Sequence, residues 1–164
     1  MTFRSLLQVA SDAEKLNASM TFVQEVRRHL EELSDRILFY EICNDFCECP
    51  SRRSSIERTL EDIYDSFGNR ISARTRLLDG TNALISNELA HISDDGEEMT
   101  LTEKGKEILL EDVPSAREYL YTILDALKQN FFHTSFTPLM TSIRKSAGMA
   151  TIWRFFIPTM SGMR

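Results

Sequence analysis

The amino-acid sequence predicts a mostly α-helical protein with a small two-stranded antiparallel hairpin near the middle of the chain. Apolar residues recur at steps of three and four along most of the chain, which is the period of an amphipathic helix. Around residues 89–101, two short runs flank Asp95-Gly96, a dipeptide that favours a tight turn between antiparallel strands. Only four prolines and six glycines occur among 164 residues, so we expect long elements and short connections.

The composition is that of a globular protein. Hydrophobic residues make up 42% of the chain and charged residues 27%, and the length fits one domain. No apolar run reaches the roughly 18 residues that a membrane span needs, and the first residues lack the apolar region of a secretory signal. We therefore expect a soluble, cytoplasmic protein with no membrane partner.

A leading helix up to Leu16 is followed by a longer predicted helix with a narrow apolar seam. The seam residues alternate steps of three and four, as do helices packed lengthwise. They are Val23, Val26, Leu30, Leu33, Ile37, Tyr40, Cys43 and Cys47. The stretch is either one long helix of a bundle or a dimer helix, and the narrowness of the seam favours the dimer.

Two more helices are predicted before the hairpin. Ser54 and Glu57 have the spacing of a capping box, and Gly68-Asn69 is typical of the end of the helix that this box would begin. A third helix is predicted to begin near Ser72 and to contain Gly80.

Helices are also predicted after the hairpin. Thr102 is expected to cap the first of them, and Ser115 with Glu118 predicts a capping box for the next. Thr137-Pro138 would open a last helix that reaches Trp153.

This order of elements, over about residues 33–110, resembles a winged helix-turn-helix. The segment Met99–Lys106 is similar to the Leu-Thr-x-x-Gly segment that ends the wing in many bacterial and archaeal regulators, including the MarR-like and PadR-like families. A physical reason supports the pattern, because Leu101 packs inward and the Thr102 hydroxyl then caps the next helix.

The resemblance implies a winged helix-turn-helix flanked by terminal helices within a single domain, 1–164. N-terminal helices would occupy 1–32, the winged-helix unit 33–112, and C-terminal helices 113–164. The terminal helices of those families build a dimer, so the resemblance also implies a homodimer.

A winged helix of this kind implies transcription regulation through duplex DNA. The third helix would enter the major groove, with base contacts from its first turns and phosphate contacts from nearby arginines. The predicted base contacts are Ser72, Arg74, Thr75 and Arg76, and the predicted phosphate contacts are Arg52, Arg53 and Arg70. All six basic residues of 51–80 are arginines, the side chain best suited to phosphates and guanines.

Two departures from the pattern keep an alternative open. Gly80 falls inside the predicted recognition helix, and the wing is acidic where a wing that contacts DNA is normally basic. Its acidic residues are Asp94, Asp95, Glu97 and Glu98. Together with the net charge of −6, the acidic wing favours the alternative, a winged-helix protein-interaction module that does not bind DNA.

The three cysteines are candidate ligands for a soft metal ion. Cys43, Cys47 and Cys49 straddle a predicted helix end, and three thiolates could bind Zn(II) or As(III). No CxxC pair or nearby histidine supports such a site, and small buried apolar side chains are the favoured interpretation. We expect reduced thiols and no metal.

No enzyme class is indicated, and no cofactor is predicted. The sequence contains no P-loop, dinucleotide fingerprint, paired-carboxylate motif or nucleophile elbow. Aromatic residues between Phe131 and Phe156 predict core or dimer interface, with a ligand pocket as the alternative.

Overall fold

The computed structural model describes residues 6–127 of the chain. It contains α1 (Leu6–Leu16), α2 (Thr21–His29), α3 (Leu33–Glu48), β1 (Ser54–Ser55), α4 (Ile56–Ile63), α5 (Phe67–Leu78), α6 (Ala83–Ser86), β2 (Ala90–Ile92), β3 (Glu98–Leu101) and α7 (Glu103–Leu110). A further helix, α8, occupies 113–127 up to the end of the described residues. No helix in this part of the chain is both long enough and apolar enough to cross a membrane.

The predicted fold class is confirmed: the protein is mostly α-helical with a small antiparallel wing. The sheet has three strands in the order β1-β3-β2, not the two strands predicted. Strand β1 pairs Ser54 with Met99, while β2 pairs Ala90 with Leu101. The extra strand is only two serines long, so it has no alternation of polarity that could reveal it.

The wing, residues 90–101, follows α5, and β1 lies between α3 and α4. This arrangement is a winged helix-turn-helix, with α1, α2 and α8 outside it. Asp95-Gly96 forms the turn of the wing as predicted, with Gly96 at a φ of +71°. Thr102 caps α7, because its Oγ1 accepts a hydrogen bond from the Gly105 amide at 3.1 Å.

The single long helix predicted over the apolar seam is wrong, because the chain breaks between α2 and α3. Leu30 is extended, with φ −125° and ψ 105°, and Glu32 is extended as well. Arg36 stabilises the break, since its Nη1 donates to the carbonyls of Leu30 at 2.9 Å and Glu31 at 2.6 Å. Arg36 thus satisfies backbone carbonyls that a continuous helix would have hydrogen-bonded internally. Its main partner, Glu14, lies 22 residues away in the sequence.

Most of the seam belongs to this chain's own core. Val23, Val26, Leu30, Ile37 and Tyr40 are fully buried within the single chain. Because of the break, α2 and α3 pack against different neighbours. The seam, which is continuous in the sequence, is therefore divided between two helices. The sequence argument for a dimer from this seam therefore fails.

The boundaries of the helix-turn-helix differ from the prediction by several residues. Helix α4 is capped by Ser55, whose Oγ accepts from the Arg58 amide at 3.4 Å, not by Ser54, which belongs to β1. It ends at Ile63, so Gly68-Asn69 does not end it but lies in the first turn of α5.

Helix α5 begins earlier than Ser72 and excludes Gly80. Ser66 caps it by accepting a hydrogen bond from the Asn69 amide at 3.2 Å. Gly80 follows the helix end with a φ of +77°, the left-handed conformation that glycine adopts readily. The glycine predicted inside the recognition helix is therefore part of its C-terminal cap.

A buried polar cluster joins the flanking helices to the winged unit. Arg36 Nε and Nη2 donate to the two Glu14 oxygens at 2.7 and 2.9 Å, and Tyr40 Oη donates to Glu14 at 2.8 Å. Tyr40 also packs edge-on against Tyr119 of α8, with 5.4 Å between ring centroids. Burial raises the pKa of Tyr119 to about 12. These contacts connect α1 and α8 to α3.

Helix α8 starts before the predicted capping box. Residues from 113 are helical, and Asp112 Oδ1 accepts from the Ser115 amide at 3.5 Å, so Ser115 is not the cap. The predicted last helix, from Thr137-Pro138 to Trp153, and the aromatic residues from Phe131 onward lie outside the described residues.

Candidate functional site

Helix α5 presents an apolar stripe to solvent. Ala73 and Leu77 face the core, whereas Phe67, Ile71 and Leu78 are 70%, 50% and 50% exposed. At about 100° per residue, these three exposed side chains lie within about 40° of one another around the helix. We call them the α5 stripe. An exposed apolar row on the helix that a winged-helix protein normally gives to its ligand marks this face as the candidate site.

A groove of about 230 Å³ lies between α4 and α5, beside the stripe. Its apolar lining consists of Leu60, Phe67 and Ile71. Glu57 and Glu61 from α4, with Arg70 and Arg74 from α5, provide the charged lining. We call this site the α4–α5 groove.

The two arginines of the groove are ion-paired with acidic residues on neighbouring elements. Arg70 Nη1 lies 3.1 Å from Glu61 Oε1 on α4. Arg74 Nη2 lies 3.4 Å from Glu97 Oε1 and donates to the Gly96 carbonyl at 3.3 Å. The two side chains therefore tie α5 to α4 and to the wing, and their charges are compensated.

Arg76 lies on another side of α5 and faces α3. Its guanidinium is 3.6 Å from Glu32 and 3.9 Å from Asp35 Oδ2. Asp35 is buried and accepts a hydrogen bond from Asn82 Nδ2 at 2.8 Å, while its Oδ2 accepts none. Burial raises the pKa of Asp35, and the nearby charge of Glu32 adds to that rise. The buried carboxylate holds Arg76 away from the α4–α5 groove.

The two arginines before β1 are also paired. Arg52 contacts Glu48 and lies 3.7 Å from Asp45, and Arg53 lies 3.3 Å from Glu98. Arg53 and Glu98 line a separate cavity together with Asp94, whereas Arg74 lines the α4–α5 groove.

The remaining predicted DNA contacts are neutral and exposed. Ser72 and Thr75 lie on the outer face of α5, and the Thr75 hydroxyl donates to the Ile71 carbonyl at 2.9 Å. The seven predicted residues thus fall into three groups: two neutral side chains on α5, two arginines at the groove, and three arginines that face other elements. The structure does not bring their charges together.

The wing is acidic in space as well as in sequence. Asp94, Asp95 and Glu97 are exposed. Hydrogen bonds from the Ser93 hydroxyl at 2.5 Å and the Glu97 amide at 3.0 Å lower the pKa of Asp95, which keeps it ionised. Residues 51–101 contain six arginines and ten carboxylates in total. These residues therefore carry a net charge of −4 despite their arginines.

The three cysteines are free thiols in different surroundings. Burial raises the pKa of both Cys43 and Cys47, whereas a hydrogen bond with the Ser51 hydroxyl lowers the pKa of Cys49. Over residues 6–127, no three histidine, cysteine or carboxylate side chains are grouped so that they could hold a metal ion.

The sequence interpretation missed the α5 stripe for a specific reason. The predicted helix that begins at Ser54 and ends at Gly68-Asn69 includes Phe67, which separates Phe67 from the helix predicted to begin near Ser72. With the helix starting at Phe67, the spacing to Ile71 and Leu78 would have revealed the stripe.

Comparisons of this chain with protein-family models, with curated proteins and with solved structures found no match.

Proposed function

We propose that this protein is a winged-helix protein-interaction module that binds its partner through α5. The observation that carries the proposal is the exposed α5 stripe of Phe67, Ile71 and Leu78. A helix that reads DNA presents hydrogen-bond donors and cations to base edges and phosphates. Large apolar side chains in a row are instead characteristic of the buried centre of a protein interface.

The charges around the stripe support the same proposal. Each of the five arginines predicted to contact DNA lies within 4 Å of a carboxylate, on α3, on α4, between α2 and α3, or on the wing. Such exposed ion pairs contribute only about 0–1 kcal/mol each, so they could be exchanged for phosphates. The exchange would, however, bring DNA against the freed carboxylates, and the excess of acidic residues would oppose it.

A second candidate is a homodimeric DNA-binding transcription regulator similar to the MarR-like and PadR-like families. Two observations favour it: the winged helix-turn-helix topology, and the presence of three arginines and no acidic residue in α5. Its DNA contacts would be Ser72, Thr75 and the α5 arginines, and its dimer would use helices outside the winged unit. Neither candidate calls for catalysis or a cofactor. The cysteines are free thiols and odd in number, which supports a cytoplasmic location under either candidate function.

A photo-crosslinking amino acid at position 71 distinguishes the two candidates within cells of the source organism. We expect adducts that protease destroys and nuclease leaves intact. The matched control places the same amino acid at Tyr121, an exposed position on α8 outside the groove, where those adducts should be absent. Nuclease-sensitive adducts at position 71 would establish the DNA candidate instead, and the absence of adducts there would reject the interaction module.

A further inference from the structure

Within the proposed function, we infer that the partner is a basic amphipathic helix that inserts one large apolar side chain into the α4–α5 groove. The size of the groove is the first argument. Pockets for cofactors and drug-sized ligands are roughly 300–1,000 Å³, and this groove is about 230 Å³. An open groove of that size with an apolar lining suits one or two protein side chains.

The backbone of α5 supports a helical partner. The hydrogen-bonding groups of a helix interior are satisfied within the helix, so α5 offers a partner no main-chain pairing of the kind that an edge strand offers. A partner segment on the α5 stripe must satisfy its own backbone, which an α-helix does. The stripe from Phe67 to Leu78 is about 16 Å long at 1.5 Å per residue. Apolar residues at i, i+4, i+7 and i+11 of a second helix span the same length.

The charge at the edge of the groove selects a basic partner. Glu61 and Glu97 are each paired with an arginine of α5. Glu57 is exposed, lines the groove and forms no ion pair with any other residue in the described part of the chain. A lysine or arginine next to the inserted apolar side chain would therefore complement Glu57.

The electrostatics also disfavour a second copy of this chain as the occupant. Two copies related by a two-fold axis would place the same surface against itself. Such an interface would contain the unpaired carboxylate of Glu57 from both copies, with Arg70 and Arg74 already paired to Glu61 and Glu97, and like charges across an interface are unfavourable.

Selection from a displayed library of random 16-residue peptides, carried out on the full chain, tests the partner class. We expect the enriched peptides to share an i, i+4, i+7 apolar spacing with lysine or arginine beside it. Ile71→Asp should weaken their binding at least tenfold, whereas Tyr121→Ser, which removes an even more exposed aromatic side chain elsewhere, should leave it unchanged. Glu57→Lys should reverse the charge preference toward acidic peptides. Circular dichroism checks that each variant is folded.

Three outcomes would overturn the inference: no enrichment, enriched peptides that are acidic or lack helical spacing, or binding that is insensitive to Ile71→Asp. If protease-sensitive adducts at position 71 persist in cells while the selected peptides are not basic helices, the partner class is wrong and the interaction function stands. If the adducts are sensitive to nuclease, the proposed function itself is wrong.

Discussion

Arg74 and Glu97 form an ion pair that joins α5 to the wing, with 3.4 Å between Nη2 and Oε1. In a winged helix bound to DNA, both elements face the duplex, so a guanidinium at this place would be expected to contact a phosphate. Here it contacts a carboxylate of the same chain instead. The pair also positions Arg74 beside the α4–α5 groove, where its aliphatic stem extends the lining formed by Phe67 and Ile71.

Removal of the wing carboxylates should increase the affinity of the protein for duplex DNA. In the double variant Glu97→Gln/Glu98→Gln, Arg74 and Arg53 lose their acidic partners and the repulsion of phosphate falls. We expect affinity for duplex DNA at low salt to rise more than tenfold, with a steep decrease as salt is added. Glu103→Gln, an exposed charge removal on α7, is the control.

A gel-shift assay of binding to duplex DNA tests the second candidate directly. Tight binding of the native protein to its own upstream region, reduced more than tenfold by Arg74→Ala/Arg76→Ala, would contradict the interaction module.

Glu14→Gln should destabilise the protein far more than the loss of an exposed carboxylate on the same helix. Glu14 is buried and accepts hydrogen bonds from Arg36 and Tyr40, so its loss leaves a buried cation with no counter-charge. Such losses cost about 3–5 kcal/mol. Asp12→Asn removes an exposed ion pair with Lys15 on α1 and should change the free energy of unfolding by less than about 1 kcal/mol. Denaturant unfolding of both variants measures the difference, and similar midpoints would be incompatible with a buried pair.

The sequence was sufficient to predict the hairpin of the wing and the Thr102 cap that follows it because those signals are local. Asp95-Gly96 needs only a turn, and Thr102 needs only the amide of Gly105 three residues later. The break between α2 and α3 depends on Arg36, which combines the distant Glu14 with the carbonyls of residues 30 and 31. No window of the sequence contains that combination, so the seam was interpreted as one continuous helix.

The candidate site was only partly predictable for a related reason. The arginines of α5 were found from their type and position, but their partners come from Glu61, Glu97 and Asp35 on three different elements. Charge compensation depends on the tertiary structure. The balance of charges along the sequence indicates an acidic excess but not which carboxylate pairs with each arginine.

Two glycine substitutions should have opposite effects on stability. A Cβ at Gly105 would lie 2.2 Å from the Leu89 carbonyl oxygen, so Gly105→Ala must displace α7 from β2 and lower the free energy of unfolding by about 2 kcal/mol or more. At Gly68, in the first turn of α5, the nearest atom is Ser66 Oγ at 3.8 Å. Gly68→Ala should therefore stabilise the protein by up to about 1 kcal/mol. Thermal unfolding of both variants provides the comparison, and equal shifts in Tm would contradict the close packing at Gly105.

Asp35 should make the protein less stable as the pH rises through the range in which it ionises. Burial raises the pKa of Asp35 in the folded state above the value of about 3.9 expected for the unfolded chain. Between those two pKa values the folded protein binds more protons than the unfolded chain, so the free energy of unfolding falls with increasing pH. Asp35→Asn does not titrate. Its stability relative to the native protein should therefore increase from about pH 4 upward and level off above the raised pKa.

Asp79→Asn provides a control of opposite sign for the titration of Asp35. Hydrogen bonds from the Thr81 hydroxyl and amide lower the pKa of Asp79, so this exposed carboxylate contributes stability that is present above its unfolded pKa and is lost as the pH falls through its folded pKa. Relative to the native protein, Asp79→Asn should lose stability as the pH rises to about 4 and then level off, whereas Asp35→Asn gains stability from about pH 4 upward. Urea unfolding at intervals from pH 3 to pH 8 compares the three proteins. Parallel curves for Asp35→Asn and the native protein would show that the buried carboxylate does not titrate differently on folding.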